Sequence, residues 1–340
     1  MNDFFKMIKI YLVEYLPCQR CLSDNTIISY RQTLNLFVSY LRDICGIAVK
    51  EIDFDILTKE VFLDFLDWLE AIRGCSISTR NQRLMALRAF FNFAGNNNCA
   101  YISLALSLSN IPVKNGCTKT VDFLSETALK TLLEQPNPAK PTDVRNQFFM
   151  ILMYDTAARC SELINLRIRD LRLDNPHPVV YLHGKGNKIR SVPILKRTVK
   201  YFEHYMKLFH PNEKKDSDQF LFYTTIHERR NPISTDTVAR FFNIYAKKAH
   251  EKCAETPEHI HPHMLRHTRA MHLYRNGMPM MLLSEFLGHA NVETTMIYAY
   301  ADTEMKRIAI EKANIIHSNC ELPNISLNDD DMILKLAGLC

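Results

Sequence analysis

The sequence predicts a mainly α-helical protein of two domains, the second of which is α+β because it contains a small β-hairpin. Helical periodicity runs through most of the 340 residues and is interrupted between residues 96 and 121. Further along, two short β-type runs flank a glycine-rich turn. An apolar fraction of 47% is enough to fill two cores of this kind and excludes a disordered chain.

Amphipathic helices make up the predicted N-terminal domain, residues 1–110. Over residues 22–41 the apolar side chains fall on one helix face, and Ser23 or Asp24 can cap the first turn. The same spacing recurs in two later stretches, residues 61–72 and 79–93. A linker is then predicted over residues 111–122, because the periodicity stops there and the chain reads as extended.

The second domain is predicted over residues 123–316 and begins with a short helix capped by Ser125, followed by a longer apolar helix over 142–158. Residues 179–183 and 189–194 are β-type runs on either side of a tight turn, which predicts a hairpin. Helices are then predicted over residues 196–209, 234–253, 264–276, 279–287, 291–300 and 302–316.

Charge is distributed unevenly along the chain. The net charge is +5, yet residues 111–300 carry 27 basic and 19 acidic side chains, while residues 1–110 carry 11 of each. A polyanionic partner is therefore expected. The basic side chains predicted to contact DNA lie on the 79–93 helix and on the hairpin: Arg80, Arg83, Arg88, Lys188 and Arg190. A solvated helix surface explains the first three equally well.

The sequence also predicts a soluble, cytoplasmic protein with no membrane partner. The charged residues Asp3, Lys6, Lys9 and Glu14 interrupt the first helix, so it is neither a signal-peptide core nor a membrane span. The ten cysteines are scattered, and reduced thiols are expected. When bound to DNA, such a protein would be associated with the nucleoid.

Five short segments of the second domain hold side chains suited to phosphoryl chemistry. Taken singly, each has a structural explanation, such as a surface arginine, a solvated hairpin lysine or a core tyrosine. Taken in order, they form a set with defined spacing. The segments cover residues 155–163, 184–188, 263–267, 287–289 and 294–298.

The order and spacing of these segments resemble the tyrosine recombinases, also called the phage integrase family. An H-x-L-R-H segment, an L-G-H segment about twenty residues later and a tyrosine nine residues after that last histidine are specific as a set. The resemblance covers residues 123–300 and extends more loosely to the N-terminal half, which is similar to the family's SAM-like core-binding domain. It implies six catalytic residues: Arg159, Lys185, His263, Arg266, His289 and Tyr298.

Three positions depart from the common pattern of this family. Ala157 stands two residues before the first arginine, where glycine is common. Arg269 stands where an aromatic residue is frequent. Tyr300 is a second tyrosine close to Tyr298, so the identity of the nucleophile requires a direct test.

The chemistry of a phosphodiester agrees with these assignments. Two guanidiniums can bind the non-bridging oxygens bidentately and stay charged at every relevant pH. A tyrosine hydroxyl has a pKa of about 10 and needs a proton acceptor, which we predict to be His263. The leaving 5′ oxygen needs an acid, predicted to be Lys185, while His289 would bind the phosphate or support the tyrosine. Glu162, one turn after Arg159, is predicted to hold that guanidinium in place.

These residues predict two domains that clamp a DNA duplex and act as a site-specific recombinase. Strands would be cut and rejoined through a covalent 3′-phosphotyrosine, without metal, ATP or other cofactor. The resemblance implies double-stranded DNA with specific recombination sites as the partner. It also implies a chain that can be a monomer in solution and acts as a tetramer on two duplexes. Residues 317–340 would form a tail that docks on a neighbouring protomer or packs on its own domain.

Several alternatives stay open at this point. Within the family, the sequence does not separate integrase, transposase and multimer-resolvase roles, although no N-terminal arm-binding domain is expected. Outside it, the alternating His259, His261 and His263 would suit a metal-dependent nuclease. A module that only binds DNA is the other rival, but it would not need this complete set of reactive side chains.

Overall fold

The computed structural model divides the chain into two units, Met1–Lys119 and Thr120–Cys340. Lys185 lies outside the described residues, as do most of the predicted 302–316 helix and most of the 317–340 tail. None of the described helices is long and apolar enough to cross a membrane. The structure describes residues 2–116, 121–173, 176–184, 186, 188–301, 307, 310, 311, 334 and 338.

Helices form the described part of the first unit, as predicted. The first helix, Asp3–Ile10, continues without a break into a π-helical segment, Tyr11–Gln19. The predicted cap is seen in part, because the next helix begins directly after Ser23. Short 3-10 turns lie at Val49–Glu51, Phe54–Ile56 and Cys99–Tyr101. The α-helices are α1 (Asp3–Ile10), α2 (Asp24–Asp43), α3 (Lys59–Ala71), α4 (Ile77–Asn97) and α5 (Ile102–Ser109).

Aromatic side chains fill the core of this unit. The ring of Phe4 meets the edges of Phe54 and Phe90 at centroid distances of 5.3 and 5.8 Å. Phe62 of α3 packs edge to face on Phe91 of α4 at 4.9 Å. Each such aromatic pair stabilises the fold by about 0.5–1.5 kcal/mol beyond its buried area, so α1, α3 and α4 form one packed body.

The second unit is α+β, which confirms the predicted fold class. Its strands are β1 (Leu171–Arg172), β2 (Val179–His183), β3 (Ile189–Pro193), β4 (Tyr223–Ile226) and β5 (Arg229–Pro232). Strands β2 and β3 form the predicted hairpin, with Tyr181 opposite Ser191, and β1 adds an antiparallel third strand. The separate β4–β5 hairpin was not predicted.

The helices of this unit follow the predicted order closely. One face of the three-stranded sheet packs into the core through Val180, Leu182 and Val192, beside the apolar side chains of the helix Pro141–Thr156. The predicted 291–300 helix is split into a 3-10 turn, Val292–Thr294, and a short helix, Met296–Ala301. The helices are α6 (Glu126–Leu133), α7 (Pro141–Thr156), α8 (Cys160–Ile164), α9 (Lys196–Phe209), α10 (Thr235–His250), α11 (Pro262–Arg275), α12 (Met280–Leu287) and α13 (Met296–Ala301).

Candidate active site

The sharp turn after α7 places Arg159 at the start of α8. Ala157 ends α7 in the left-handed conformation, with φ 47° and ψ 33°. That conformation favours glycine, which explains why glycine is common here in the resembled family. The Arg159 backbone N–H donates to Glu162 Oε2 at 2.7 Å, and its Nη1 donates to Glu162 Oε1 at 2.9 Å. Its side chain is still 31% exposed, so a ligand can reach the guanidinium.

The side chain of Arg266 connects the end of α7 to the end of α12 through two hydrogen bonds. Its Nη1 donates to the Ala157 carbonyl and its Nη2 donates to the Leu287 carbonyl, each at 2.6 Å. The residue is 2% exposed. Burial, together with the charges of Arg159 and Arg190, lowers the pKa of Arg266 to about 10. The guanidinium therefore remains protonated at neutral pH and is rigidly placed.

A buried carboxylate is shared by two arginines beside this turn. Arg190 of β3 donates from Nη1 to Glu162 Oε1 at 2.8 Å and from Nη2 to Glu162 Oε2 at 2.9 Å. Burial raises the pKa of Glu162, but the bonds and charges of Arg190 and Arg159 outweigh it, and the net pKa is below its ordinary value. Glu162 is thus an ionised anchor, as the predicted role of holding Arg159 requires.

The L-G-H segment forms the turn after α12. Gly288 has φ +63°, and a Cβ there would lie 3.0 Å from Arg190 Cδ, so both backbone conformation and space call for glycine. The Gly288 carbonyl accepts from Arg159 Nη2 at 3.4 Å. His289 Nδ1 lies 2.8 Å from Thr295 Oγ1. Burial, then the charges of Arg266, Arg159 and Arg190, lower the pKa of His289 to about 4.

Tyr298 lies on α13 and is almost completely buried, at 1% exposure. Its hydroxyl is 3.0 Å from Nδ1 of His267, one turn after His263 on α11. Burial raises the pKa of Tyr298 to about 12, against the opposing effect of the Arg266 charge. Tyr300, by contrast, is 70% exposed. The two tyrosines therefore face different surroundings, and Tyr298 is in contact with His267 and near the charge of Arg266.

His267 is a site residue to which the sequence analysis gave no role. Burial, then the neighbouring histidines and Arg266, lower its pKa to about 4, so its imidazole is neutral at pH 7. The rings of His263 and His267 are stacked at a centroid distance of 6.0 Å. Burial and the charge of Arg266 also lower the pKa of His263. The sequence signal for His267 is its position four residues after His263, because residues at this spacing share one face of a helix.

The structure brings the described members of the predicted catalytic set into one cluster. Contacts already given join Arg159 to the L-G-H turn, Arg266 to the ends of α7 and α12, and Tyr298 to α11. The hairpin that carries Lys185 adjoins this cluster, because a Cβ on Gly184 would lie 3.4 Å from Glu162 Oε1 and 3.9 Å from Arg159 Nη1. The position of Lys185 itself stays a prediction.

Three of the arginines predicted to contact DNA bind other groups of the protein. Arg80 is 2% exposed, donates to the Pro112 carbonyl and pairs with Glu70, so it stabilises its own unit. Arg88 donates to the carbonyls of Leu108 and Ser109 at the end of α5 and to that of Ile111 just after it. Arg190 is bound to Glu162. Lys188 is exposed and Arg83 is half-buried, and for both a DNA contact stays a prediction.

The histidines at 259, 261 and 263 were the alternative metal site. Across the part of the chain that the structure describes, no group of three or more His, Cys, Asp or Glu side chains is arranged to hold a metal ion. Within the candidate site the side chain of Arg159 is partly exposed, whereas Arg266 and Tyr298 are buried.

Comparison with known proteins assigns both parts of the chain. The sequence model of the Phage integrase family matches residues 122–305. The model of the Phage integrase N-terminal SAM-like domain matches residues 10–98. The first match alone spans more than half of the chain.

Curated relatives and solved structures agree with these matches. Tyrosine recombinase XerA of Pyrococcus horikoshii is 32% identical over 75% of this chain and 81% of the relative. Tyrosine recombinase XerC of Bacillus subtilis is 28% identical over 90% of this chain and 95% of the relative. The Tn1549 transposon integrase, solved with transposon right end DNA, has a TM-score of 0.68 at 18% identity, covering 91% of this chain and 99% of that chain. At that identity the likeness is one of fold.

Proposed function

The chain belongs to the phage integrase family of tyrosine recombinases, and we propose on this basis that it cuts and rejoins DNA at specific sites through a 3′-phosphotyrosine on Tyr298. The observation that carries the proposal is the clustering of Arg159, Arg266 and His289 with a tyrosine whose hydroxyl is bonded to an imidazole. Relatives named as tyrosine recombinases support the reaction class.

Phosphate binding is the proposed role of the two arginines. Arg159 is partly exposed and can approach a non-bridging oxygen. The guanidinium of Arg266 is held in place by the carbonyls of Ala157 and Leu287. Both charges are fixed before DNA arrives, so little reorganisation is needed as negative charge grows during attack. Removal of one such preorganised donor typically costs about 3–4 kcal/mol of barrier lowering.

Attack by Tyr298 transfers two protons in the step that we propose. The tyrosine oxygen bonds to phosphorus while the bond from phosphorus to the 5′ oxygen breaks. The hydroxyl proton passes to the imidazole of His267, and the 5′ oxygen takes a proton from Lys185. Because the phosphotyrosyl bond retains the energy of the broken phosphodiester, the reverse step rejoins a strand without ATP. Tyr298 is 1% exposed, so DNA binding has to uncover its hydroxyl first.

Four chains on two duplexes are the proposed assembly. Exchange between two duplexes breaks four strands, and each chain contributes one Tyr298. The DNA partner would carry specific sites, in line with the Tn1549 integrase solved on transposon DNA. Integrase, transposase and multimer-resolvase roles differ in these sites, so the DNA that flanks the gene, searched for inverted repeats, is the source of candidate substrates.

We expect the wild-type protein to form an SDS-resistant adduct with a nicked duplex in EDTA and without nucleotide, because no proposed role needs a metal ion. The nick lets the short 5′-hydroxyl strand diffuse away, which prevents rejoining and traps the adduct on a denaturing gel. A duplex of scrambled sequence serves as the control. Cleavage that needs Mg²⁺ and leaves free DNA ends would favour a nuclease, and binding without cleavage of any flanking duplex would favour a DNA-binding module.

The proton acceptor is tested by two substitutions at His267. Asparagine places an oxygen near the position of Nδ1 and can accept the tyrosine hydrogen bond, but it cannot take the proton. We therefore expect His267→Ala and His267→Asn to slow single-turnover cleavage alike, by about 10²–10⁴-fold. If the asparagine variant cleaves at the wild-type rate while His263→Asn does not, the acceptor is His263, as the sequence predicts.

A further inference from the structure

We propose that Arg190 is a positioning residue for cleavage, which acts through Glu162 on Arg159 and through the last turn of α12 on His289. The proposal rests on the recombinase function proposed above. It replaces the predicted phosphate contact of Arg190 with a role inside the site.

Three separate segments meet at the Arg190 side chain. Its two Nη atoms bind both oxygens of Glu162, at 2.8 and 2.9 Å. Its Nε donates at 3.2 Å to the carbonyl of Phe286, the residue directly before the L-G-H segment. Its Cδ lies against Gly288, where a Cβ would approach to 3.0 Å. One side chain of β3 therefore fixes the start of α8 and the end of α12 relative to each other.

The burial of Glu162 and its bidentate contact restrict the orientation of the Arg190 and Glu162 side chains. Its side chain is 2% exposed, while that of Arg190 is 13% exposed. Bidentate binding to a buried carboxylate holds both groups in one plane, which a single contact does not. The same carboxylate also accepts from Arg159 Nη1. By fixing the orientation of Glu162, Arg190 therefore also fixes the position of the Arg159 guanidinium. Loss of Arg190 would free Glu162 to turn with Arg159 and misplace the exposed phosphate ligand.

Charge gives Arg190 a second effect on the same group. Glu162 faces Arg159 and Arg190 directly, and Arg266 and His263 of α11 also lie within range of its charge. While the carboxylate is shared, neither arginine is fully neutralised by it. With Arg190 removed, Glu162 would pair with Arg159 alone and weaken the field that Arg159 offers to a phosphate. Both effects slow the chemical step and leave general DNA affinity unchanged.

The test compares Arg190→Gln and Arg190→Lys with wild type in single-turnover cleavage of a nicked duplex. Lysine keeps the positive charge but lacks the planar guanidinium that binds both carboxylate oxygens. Arg190→Lys is the variant to measure if Arg190→Gln does not fold. We expect both to cleave about 10²-fold more slowly, as a shift of about 1 Å in a reacting group would cause. DNA affinity and its salt dependence should stay at the wild-type values. Arg172→Gln, an exposed arginine on the same sheet, is the matched control and should cleave normally.

Two further readouts separate positioning from a general loss of structure. In Arg190→Gln the pKa of Glu162 should rise, so cleavage should fail at a higher pH on the acid side than in wild type. In addition, the loss of rate in the Glu162→Gln and Arg190→Gln double variant should be smaller than the product of the two single losses, because both changes break the same contact behind Arg159, while the contact with Phe286 is lost only with Arg190. The proposal would be overturned if the rate losses of the two variants were fully additive, or if the pH at which cleavage fails on the acid side did not change. A shallower salt dependence of DNA binding in Arg190→Gln would also overturn it, because Arg190 would then be a phosphate contact.

Failure of this inference is distinct from failure of the recombinase function. If the wild-type protein forms no adduct with any flanking duplex, the proposed function itself fails. If the wild-type protein forms the adduct and Arg190→Gln forms it equally fast, only the role of Arg190 is wrong. The binding assay does not depend on cleavage, and it reports on a phosphate contact in either case.

Discussion

Replacement of Tyr298 by phenylalanine should abolish the covalent protein–DNA adduct, and replacement of Tyr300 by phenylalanine should leave it intact. The first change removes the oxygen that we propose bonds to phosphorus. The hydroxyl of Tyr298 is bonded to His267, next to the charge of Arg266, whereas Tyr300 is 70% exposed. Two residues apart on a helix, the side chains point about 200° away from each other, so they cannot both reach one phosphate.

The measurement is adduct yield on a nicked duplex, with DNA affinity measured in parallel. Phenylalanine at 298 keeps the buried ring and removes one hydrogen bond, so the free energy of unfolding should fall by only about 0.5–1.5 kcal/mol. A thermal melt checks that the variant is folded. An adduct that persists in Tyr298→Phe and disappears in Tyr300→Phe would move the nucleophile to Tyr300. An adduct in both single variants that disappears in the double variant would mean that each tyrosine can attack.

The sequence predicted those parts of the molecule for which local signals exist. Alternating β-type residues around Gly184 and Gly186 were enough to place the β2–β3 hairpin. The β4–β5 hairpin was missed because its turn residues, His227 and Glu228, adopt left-handed backbone conformations without being glycine. Glutamate in particular carries little turn signal, since glycine, asparagine and aspartate are the residues that mark such turns.

The site was predictable in its residue types and less so in its contacts. Periodicity assigns a polar face to α4, yet it does not reveal that the end of α5 and the chain after it bind Arg88 and Arg80. The contact of Arg190 with Glu162 was not predicted for the same reason, because the fold alone brings this carboxylate to the hairpin. The contact between His267 and Tyr298 joins residues 31 apart, and no local pattern encodes it. Long-range polar contacts are thus the part that only the folded chain supplies.

Loss of either phosphate-binding arginine should slow cleavage by at least about 10²-fold and leave duplex affinity nearly intact. In the proposed reaction each guanidinium stabilises charge that appears mainly as the phosphate is attacked. We expect overall affinity to be spread over many other basic contacts, so the salt dependence of binding should change by about one phosphate contact at most. Arg159→Ala is the cleaner variant, because its side chain is 31% exposed and no core is opened.

Arg266 requires a variant that separates chemistry from folding. It is 2% exposed and joins Ala157 to Leu287, so Arg266→Ala removes two hydrogen bonds of a charged donor, worth about 1.5–3 kcal/mol each. Arg266→Lys keeps a positive charge in the same space but loses the planar fork. We expect Arg266→Lys to melt closer to wild type than the alanine variant while cleaving almost as slowly. If both Arg159→Ala and Arg266→Lys lost DNA binding in parallel with cleavage, these arginines would supply affinity, and the preorganised site would not be the source of the rate.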